Sequence, residues 1–262
     1  MPKFILIVFL IFISFSLKAQ TWELGGGVGG AGYMGDLNAN NPLKVSGPSI
    51  GGFVARNFDG YFSAKLSYNF GIISAADSNS GSQQFRARNL SFTTTLSEVS
   101  VIGEFNFMKY IPEIGLNKFS PYIFFGFAAV NYNPTTVYNG VKYNLRALET
   151  EGQKKPYATT AFSFPYGAGF KYNIFGAFTL GCEIGYRNPN TDYLDDVAGV
   201  YPAKNKLQSP LAQALSDRSG EKTGVYIGSP GTQRGDGNPR DTYFFTQITL
   251  SFTFLTQKCY FQ

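Results

Sequence analysis

The chain has 262 residues, with 22 basic and 17 acidic side chains and a net charge of +5 at pH 7. This length suits one large domain, and the charge is too small to indicate a nucleic-acid-binding protein. Because the sequence contains no His, it lacks the usual general base and the commonest metal ligand, which argues against an enzyme.

Residues 1–19 are predicted to be a secretory signal peptide. Lys3 gives a basic start, Phe4 to Ile13 form an uninterrupted apolar run, and Ala19 precedes a cleavage point at Gln20. Loss of the two lysines of this segment lowers the net charge to +3. No apolar run of about 18 residues follows, so we predict no helical membrane span.

Apolar and polar residues then alternate in runs that predict β-strands. In the run from Tyr61 to Ile73, Phe62 and Leu66 fall on one face, whereas Ser63 and Lys65 fall on the other. We predict eight strands, at Trp22–Met34, Pro48–Phe58, Tyr61–Ile73, 98–107, Phe119–Tyr132, 162–173, 178–187 and 244–254.

The connections alternate in length. Short links (59–60, 109–118, 173–176) alternate with long polar segments (35–48, 75–90, 133–160, 188–241). Such alternation is typical of an all-β, eight-stranded antiparallel up-and-down transmembrane β-barrel. We therefore expect a barrel over residues 20–256 in the outer membrane, with long extracellular loops and both termini periplasmic. A secreted soluble β-protein is the alternative.

A closed barrel requires the eighth strand to pair with the first, which would place Ile248 and Leu250 beside Leu24 and Val28. Aromatic side chains are expected at the two edges of the lipid-facing belt. Those predicted at one edge are Trp22, Phe62, Phe107, Tyr172, Phe178 and Phe254. Those predicted at the other are Tyr68, Phe70, Tyr132, Phe164, Tyr186 and Phe244.

The interior of an eight-stranded barrel is wide enough only for side chains. The alternation predicts an inward network of acids and bases, with room made for it by Gly25, Gly27 and Gly29. Its members are Glu23, Glu98, Glu104 and Glu183 with Lys65, Lys171 and Arg187, and Arg56 as a fourth base. Because buried charges survive only when paired, we expect a lumen without an open pore. A narrow solute channel is the alternative.

Several local motifs carry further predictions. Gly25-x-Gly27-x-x-Gly30 matches a dinucleotide fingerprint but lies inside a strand, so no cofactor is expected. Asn139-Gly140 predicts a type I′ hairpin that extends the fifth strand, and 211–216 predicts a short helix. Asp192, Asp195 and Asp196 offer oxygen ligands for Ca²⁺, although we favour a solvated or Arg-paired acid cluster.

The two cysteines differ in their predicted positions. Cys182 is expected on the lipid face, and Cys259 in a periplasmic tail over residues 257–262. In an oxidising compartment Cys259 is a candidate partner contact through an intermolecular disulfide, or else an inert thiol.

Specific strings resemble a PorG-like family of outer-membrane barrels found in Bacteroidota. They are Asn131-Tyr132-Asn133-Pro134, Tyr138-Asn139-Gly140, Leu145-Arg146-Ala147-Leu148, Thr150-Glu151-Gly152-Gln153, Arg88-Asn89-Leu90-Ser91-Phe92 with Glu98 and Glu104, and Thr191 to Val197. The resemblance implies a non-enzymatic, accessory or anchoring component of the type IX protein secretion apparatus.

The resemblance also implies partners, namely a periplasmic secretion-ring lipoprotein and its partner protein. No small-molecule substrate, nucleic acid or cofactor is implied; outer-membrane lipid is the expected surroundings. The alternative function is that of a general small barrel for adhesion or envelope integrity, with its loops as the binding surface.

Overall fold

The computed structural model describes residues 21–254 except residues 39 and 114. For residue 223 it describes the backbone and not the side chain. The predicted signal segment 1–19 and the tail with Cys259 lie outside the described residues. In the described range, no helix is long and apolar enough to span a membrane.

The described chain is built from antiparallel strands with short helices in its connections. The strands are β1 (Thr21–Met34), β2 (Val45–Asn57), β3 (Phe62–Ala76), β4 (Ser91–Asn106), β5 (Phe119–Tyr138), β6 (Val141–Asn144), β7 (Thr160–Phe175), β8 (Phe178–Pro189) and β9 (Thr242–Phe254). The helices are α1 (Gln83–Arg88), α2 (Pro210–Ser216) and α3 (Gly220–Thr223), with 3₁₀ turns at Asp77–Asn79, Arg146–Leu148 and Lys204–Lys206.

Strand pairing closes the sheet into a barrel. Around the ring the order is β1, β2, β3, β4, β5, β7, β8, β9, and β9 pairs back to β1. Val28 lies opposite Ile248, and Leu250 lies opposite Gly26, between Leu24 and Val28. The predicted eight-stranded antiparallel barrel and its closing pair are therefore confirmed. Closure leaves no row of unpaired backbone groups along a sheet edge.

The barrel turns its apolar side chains outward. On β3 the side chains of Phe62, Leu66 and Tyr68 are 53%, 54% and 52% exposed, whereas Ser63 and Lys65 are almost fully buried. Outward aromatic and aliphatic side chains are likewise exposed on the other strands of the ring. A soluble protein rarely exposes so large a contiguous apolar surface, and a lipid-embedded barrel requires one.

The connections follow the predicted rhythm, although several strands are longer than predicted. The short connections are 58–61, 107–118 and 176–177, and the long ones are 35–44, 77–90, 139–159 and 190–241. β5 continues to Tyr138 and pairs with β6 through Asn139-Gly140, whose φ angles of 51° and 77° give the predicted hairpin. The predicted 211–216 helix is α2, which the Ser209 side chain caps.

Two aromatic residues are not where the rim prediction placed them. Tyr132 points inward and is buried above the lumen, where its hydroxyl lies 2.9 Å from Thr191 Oγ1. Phe244 is on the outward register of β9, but its ring is buried over Gly32 of β1. The other predicted rim aromatics are exposed or half-buried on the outer face.

We expect Leu66→Arg to destabilise the barrel in lipid by about 2–4 kcal/mol, because a charged side chain near the bilayer midplane loses its hydration. Urea unfolding of the protein in liposomes measures this loss. Leu116→Arg is the matched control, because Leu116 is fully exposed in the 107–118 connection outside the strands. Equal stability of the two variants would contradict a lipid-facing Leu66.

Candidate functional site

Four charged side chains meet in the lower half of the lumen. Lys65 of β3 lies 2.8 Å from Glu104 of β4 and 3.0 Å from Glu183 of β8. Lys171 of β7 lies 2.5 Å from the second carboxylate oxygen of Glu104. Two bases and two acids therefore neutralise one another in a site that is nearly closed to water, where an unpaired charge would be costly.

Hydroxyl groups complete this network. The Tyr122 hydroxyl donates to Glu183 at 2.7 Å, and Ser63 Oγ donates to Glu104 at 3.1 Å. A Cβ atom on Gly169, on the neighbouring strand β7, would lie 2.7 Å from the Tyr122 hydroxyl oxygen, so a glycine is needed there. The sequence therefore leaves room for the aromatic donor that shares Glu183 with Lys65.

A second group of polar side chains lies higher in the lumen, around Glu98 of β4. Arg187 of β8 donates to Glu98 at 3.1 Å, the Tyr243 hydroxyl of β9 donates at 2.6 Å, and Asn69 of β3 donates at 3.3 Å. The Arg187 guanidinium also lies 4.6 Å from the centre of the Phe245 ring. Glu98 is thus held from three separate strands.

Some of these contacts cross the full width of the barrel. β3 and β8 are diametrically opposite in the ring of eight strands, as are β4 and β9. The Lys65–Glu183 and Tyr243–Glu98 contacts join these opposite walls at 3.0 Å and 2.6 Å. No room for a hydrated ion is left between atoms at that distance, so the lumen is bridged by its own side chains at two levels.

The end of the lumen beside the short connections is filled by neutral partners. Glu23 accepts hydrogen bonds from Ser251 Oγ at 2.5 Å and from Asn57 Nδ2 at 3.3 Å. Tyr110, in the 107–118 connection, is buried, and its hydroxyl lies 2.7 Å from Thr179 Oγ1. The structure therefore brings Glu23 into the lumen without an ion pair of its own among the described contacts.

Two details of the predicted lumen are wrong. Arg56 points outward, where its guanidinium lies 4.7 Å from the centre of the Trp22 ring, so it is not a fourth inward base. The predicted glycines of β1 do not make room for charged side chains: a Cβ on Gly25 would lie 2.4 Å from the Phe53 ring, and one on Gly27 2.8 Å from Thr249 Cγ2. A Cβ on Gly29 would meet the backbone carbonyl of Thr246. Neighbouring Glu23 and the remaining predicted acids and bases do point inward.

Above the membrane the long connections fold into a cap over the barrel mouth. Leu194, Val197 and Leu215 of the 190–241 connection are each no more than 2% exposed. They belong to one apolar cluster with buried side chains of the barrel wall, such as Leu96 and Val130. We call the packed connections 35–44, 77–90, 139–159 and 190–241 the outer cap.

Two buried arginines join the segments of the outer cap. Arg234 lies 2.9 Å from Glu151 and donates to the backbone carbonyls of Asp196 and Ser216. Arg88 lies 2.7 Å from Asp77 and donates to the carbonyls of Asp36 and Arg234. These contacts tie all four long connections together, which explains how a loop region with only short helices stays packed.

The acid cluster predicted at 192–196 is not a solvated surface. Asp196 is buried, accepts hydrogen bonds from Tyr157 and Thr150, and lies 4.0 Å from Arg234. Burial raises the pKa of Asp196 to about 6, against the opposing effect of Arg234. Asp195 is also buried and accepts the Tyr33 hydroxyl at 2.5 Å. The Arg-paired part of the prediction therefore applies to Asp196.

Sequence reasoning named Asp192 as a possible cation ligand but missed the two acids that the structure brings beside it. Asp36, Asp192 and Asp241 each place a carboxylate oxygen within 4.8 Å of the other two. Burial raises the pKa of Asp36 and of Asp192 to about 7 and that of Asp241 well above its usual range, and neighbouring carboxylates add to each shift. The three residues come from both ends of the 190–241 connection and from 35–44, so no local pattern could reveal them.

The closed ring of strands, the lipid-facing belt and the filled interior define a transmembrane β-barrel of the outer-membrane class. The model of the family described as "Domain of unknown function (DUF6089)" matches residues 2–217, and the chain belongs to that family. No curated protein matches the chain.

Several solved structures of small outer-membrane proteins are similar to the chain at low identity. Ail, the attachment invasion locus protein of Yersinia pestis, shares 10% identity, with 90% of this chain and 100% of that chain covered and a TM-score of 0.42. A major outer membrane protein from Thermus thermophilus shares 11%, with 90% and 100% covered and a TM-score of 0.44. OprG from Pseudomonas aeruginosa shares 10%, with 92% and 98% covered and a TM-score of 0.43. Identities and TM-scores this low carry no functional argument. The barrel is assigned from this chain's own strand pairing.

We expect Glu104→Gln to destabilise the barrel by about 3–5 kcal/mol, because Lys171 would lose its carboxylate partner and Lys65 would keep only Glu183. Heat-modified mobility on gels and urea unfolding in detergent measure the change. The control is Glu113→Gln, which removes an exposed acid from the 107–118 connection. Wild-type stability of Glu104→Gln would show that the lumen network does not depend on charge pairing.

Arg234→Ala should loosen the outer cap without opening the barrel, because it leaves Glu151 and Asp196 buried without their guanidinium partner. Limited proteolysis with chymotrypsin should cut the 190–241 connection at least several-fold faster, while the strands stay protected. Arg240→Ala in the same connection is exposed and should digest like wild type. Identical digestion of both variants would contradict a cap held by Arg234.

Proposed function

We propose that this barrel is a non-enzymatic anchoring component of the type IX protein secretion apparatus in the outer membrane. Its task is to hold a periplasmic assembly against the membrane, and transport is left to other components. The observation that carries this proposal is the lumen in which opposite walls are joined directly, at 3.0 Å between Lys65 and Glu183 and 2.6 Å between Tyr243 and Glu98.

A sealed interior removes the most common task of a membrane barrel. Solutes need a hydrated path, and the polar groups that would line one here are bonded to each other. What the protein offers to partners is then its two ends, the outer cap and the short periplasmic connections. A rigid barrel with two such ends suits attachment.

The strings that resemble PorG-like proteins support the secretion role. The Thr150-Glu151-Gly152-Gln153 segment lies within the outer cap, where the Glu151 carboxylate accepts from the backbone of Ala198 and Gly199 and from Arg234. The segment therefore has a structural reason for its residue types. The resemblance implies that a ring lipoprotein and its partner protein meet the periplasmic side.

The 107–118 connection is the longest of the three periplasmic ones and is the contact that we assign to that partner. Its base is fixed by the buried Tyr110, while Leu116 is fully exposed. Leu116 is thus an apolar side chain that a protein partner at this end of the barrel would bury.

The experiment is a gene deletion in the source bacterium, complemented with wild type or variants. Loss of secreted cargo that the wild-type gene restores would support the proposal, and normal secretion in the deletion strain would contradict it. A photo-crosslinking residue at position 116 should capture a periplasmic lipoprotein, whereas the same residue at position 226 in the outer cap should not. Equal capture from both positions would contradict the periplasmic assignment.

The second candidate function is adhesion or envelope integrity through the outer cap. Val225, Tyr226 and Ile227 support it, because they are 65%, 58% and 43% exposed on the cap surface. Normal secretion with altered surface attachment in the deletion strain, and loss of attachment in a Tyr226→Ser and Ile227→Ser double variant, would favour this function.

A further inference from the structure

We propose that the outer cap holds a Ca²⁺ ion on the carboxylates of Asp36, Asp192 and Asp241. The site lies where the two ends of the 190–241 connection meet the 35–44 connection, above the membrane. A bound divalent cation there would join three chain segments that are far apart in sequence.

The spacing of the oxygen atoms matches one ion. One carboxylate oxygen from each residue lies within 4.8 Å of the other two. Calcium binds oxygen at about 2.3–2.6 Å, so two of its ligands can be about 5 Å apart. Because Ca²⁺ takes six to eight ligands, backbone carbonyls and water would complete the shell.

Asp36 supplies an independent observation. The residue is almost fully buried, with only 3% of its surface exposed. Oδ1 accepts the backbone N–H of Asp236, but Oδ2 has no hydrogen-bond donor among the described residues. A buried carboxylate oxygen without a donor costs free energy, and a cation is the partner that would satisfy it.

The charges around the three carboxylates also favour binding of a cation. Asp195 lies beside Asp241, and both contact the Tyr33 hydroxyl, while Asp236 adds a further carboxylate near Asp36. The nearby base is Arg88, whose guanidinium is bonded to both oxygens of Asp77. Negative charge is therefore concentrated in a site where burial already disfavours it.

The chemistry of the ligands favours Ca²⁺ over other cations. Carboxylate oxygen is a hard ligand, and the cluster contains neither thiol nor imidazole. Mg²⁺ prefers octahedral geometry with bonds near 2.0–2.1 Å and keeps its water, so carboxylate oxygens as far as 4.8 Å apart suit it less well. Asp192 is only half-buried, which leaves a path for the ion from outside.

The test uses the protein purified in detergent, stripped with EDTA and titrated with CaCl₂ by calorimetry. We expect one saturable site with a Kd of about 0.1–1 mM, the range of extracellular calcium modules. Asp192→Asn should weaken Ca²⁺ binding by about tenfold or more, because loss of an outer-shell residue already costs about tenfold in metal affinity. Asp36→Asn should weaken it similarly.

Glu221→Gln is the matched control, because Glu221 lies in α3 of the same connection and pairs with Arg218 on the surface. It should bind Ca²⁺ like wild type. Wild type without saturable binding, or Asp192→Asn and Asp36→Asn that bind as tightly as Glu221→Gln, would overturn the proposal. Equal affinity for Mg²⁺ would overturn the assignment to calcium.

A second readout separates binding from folding. Ca²⁺ should raise the melting temperature of wild type and slow chymotryptic cleavage of the 190–241 connection, with neither effect in Asp192→Asn. In EDTA, Asp192→Asn should melt at or above the wild-type temperature, because it removes one of several repelling charges. If Asp192→Asn melts at a lower temperature in EDTA and still binds Ca²⁺ normally, Asp192 stabilises the fold and is not a ligand.

Discussion

Backbone hydrogen bonding in lipid is the constraint on which the rest of the structure depends. Each unpaired backbone group in a bilayer costs several kcal/mol, so the sheet must close, and β9 returns to β1. Closure fixes the two-residue period, with apolar side chains toward lipid and polar ones inward. The polar interior then has to satisfy itself, which produces the Lys65, Glu104, Lys171 and Glu183 group.

The filled lumen and the outer cap form a continuous packed column. The barrel wall above Glu98 passes into the apolar cluster that includes Leu96 and Leu194. Above that cluster, Arg234 and Arg88 tie the connections together through carboxylates and backbone carbonyls. The long connections are therefore part of the fold, and they close one end of the barrel with a packed surface.

Strand pattern predicted the barrel but not the contacts within it. On β3 the apolar and polar faces differ clearly, so Lys65 could be placed inward from sequence. On β2 both faces are apolar, with Val54 outward and Phe53 inward, so the direction of Arg56 was ambiguous and its prediction was wrong. Strand β5 carries aromatic side chains on both faces, which explains the error at Tyr132. The carboxylates of Asp36, Asp192 and Asp241 meet only through loop packing, which has no period to read.

Single-channel recording of the purified protein in a planar lipid bilayer tests most directly whether side chains in the lumen close the barrel to ions. The Lys65–Glu183 and Tyr243–Glu98 contacts across the barrel predict insertion without resolvable conductance steps in KCl. Stable, reproducible steps of the wild-type protein would contradict a sealed lumen and, with it, the anchoring role.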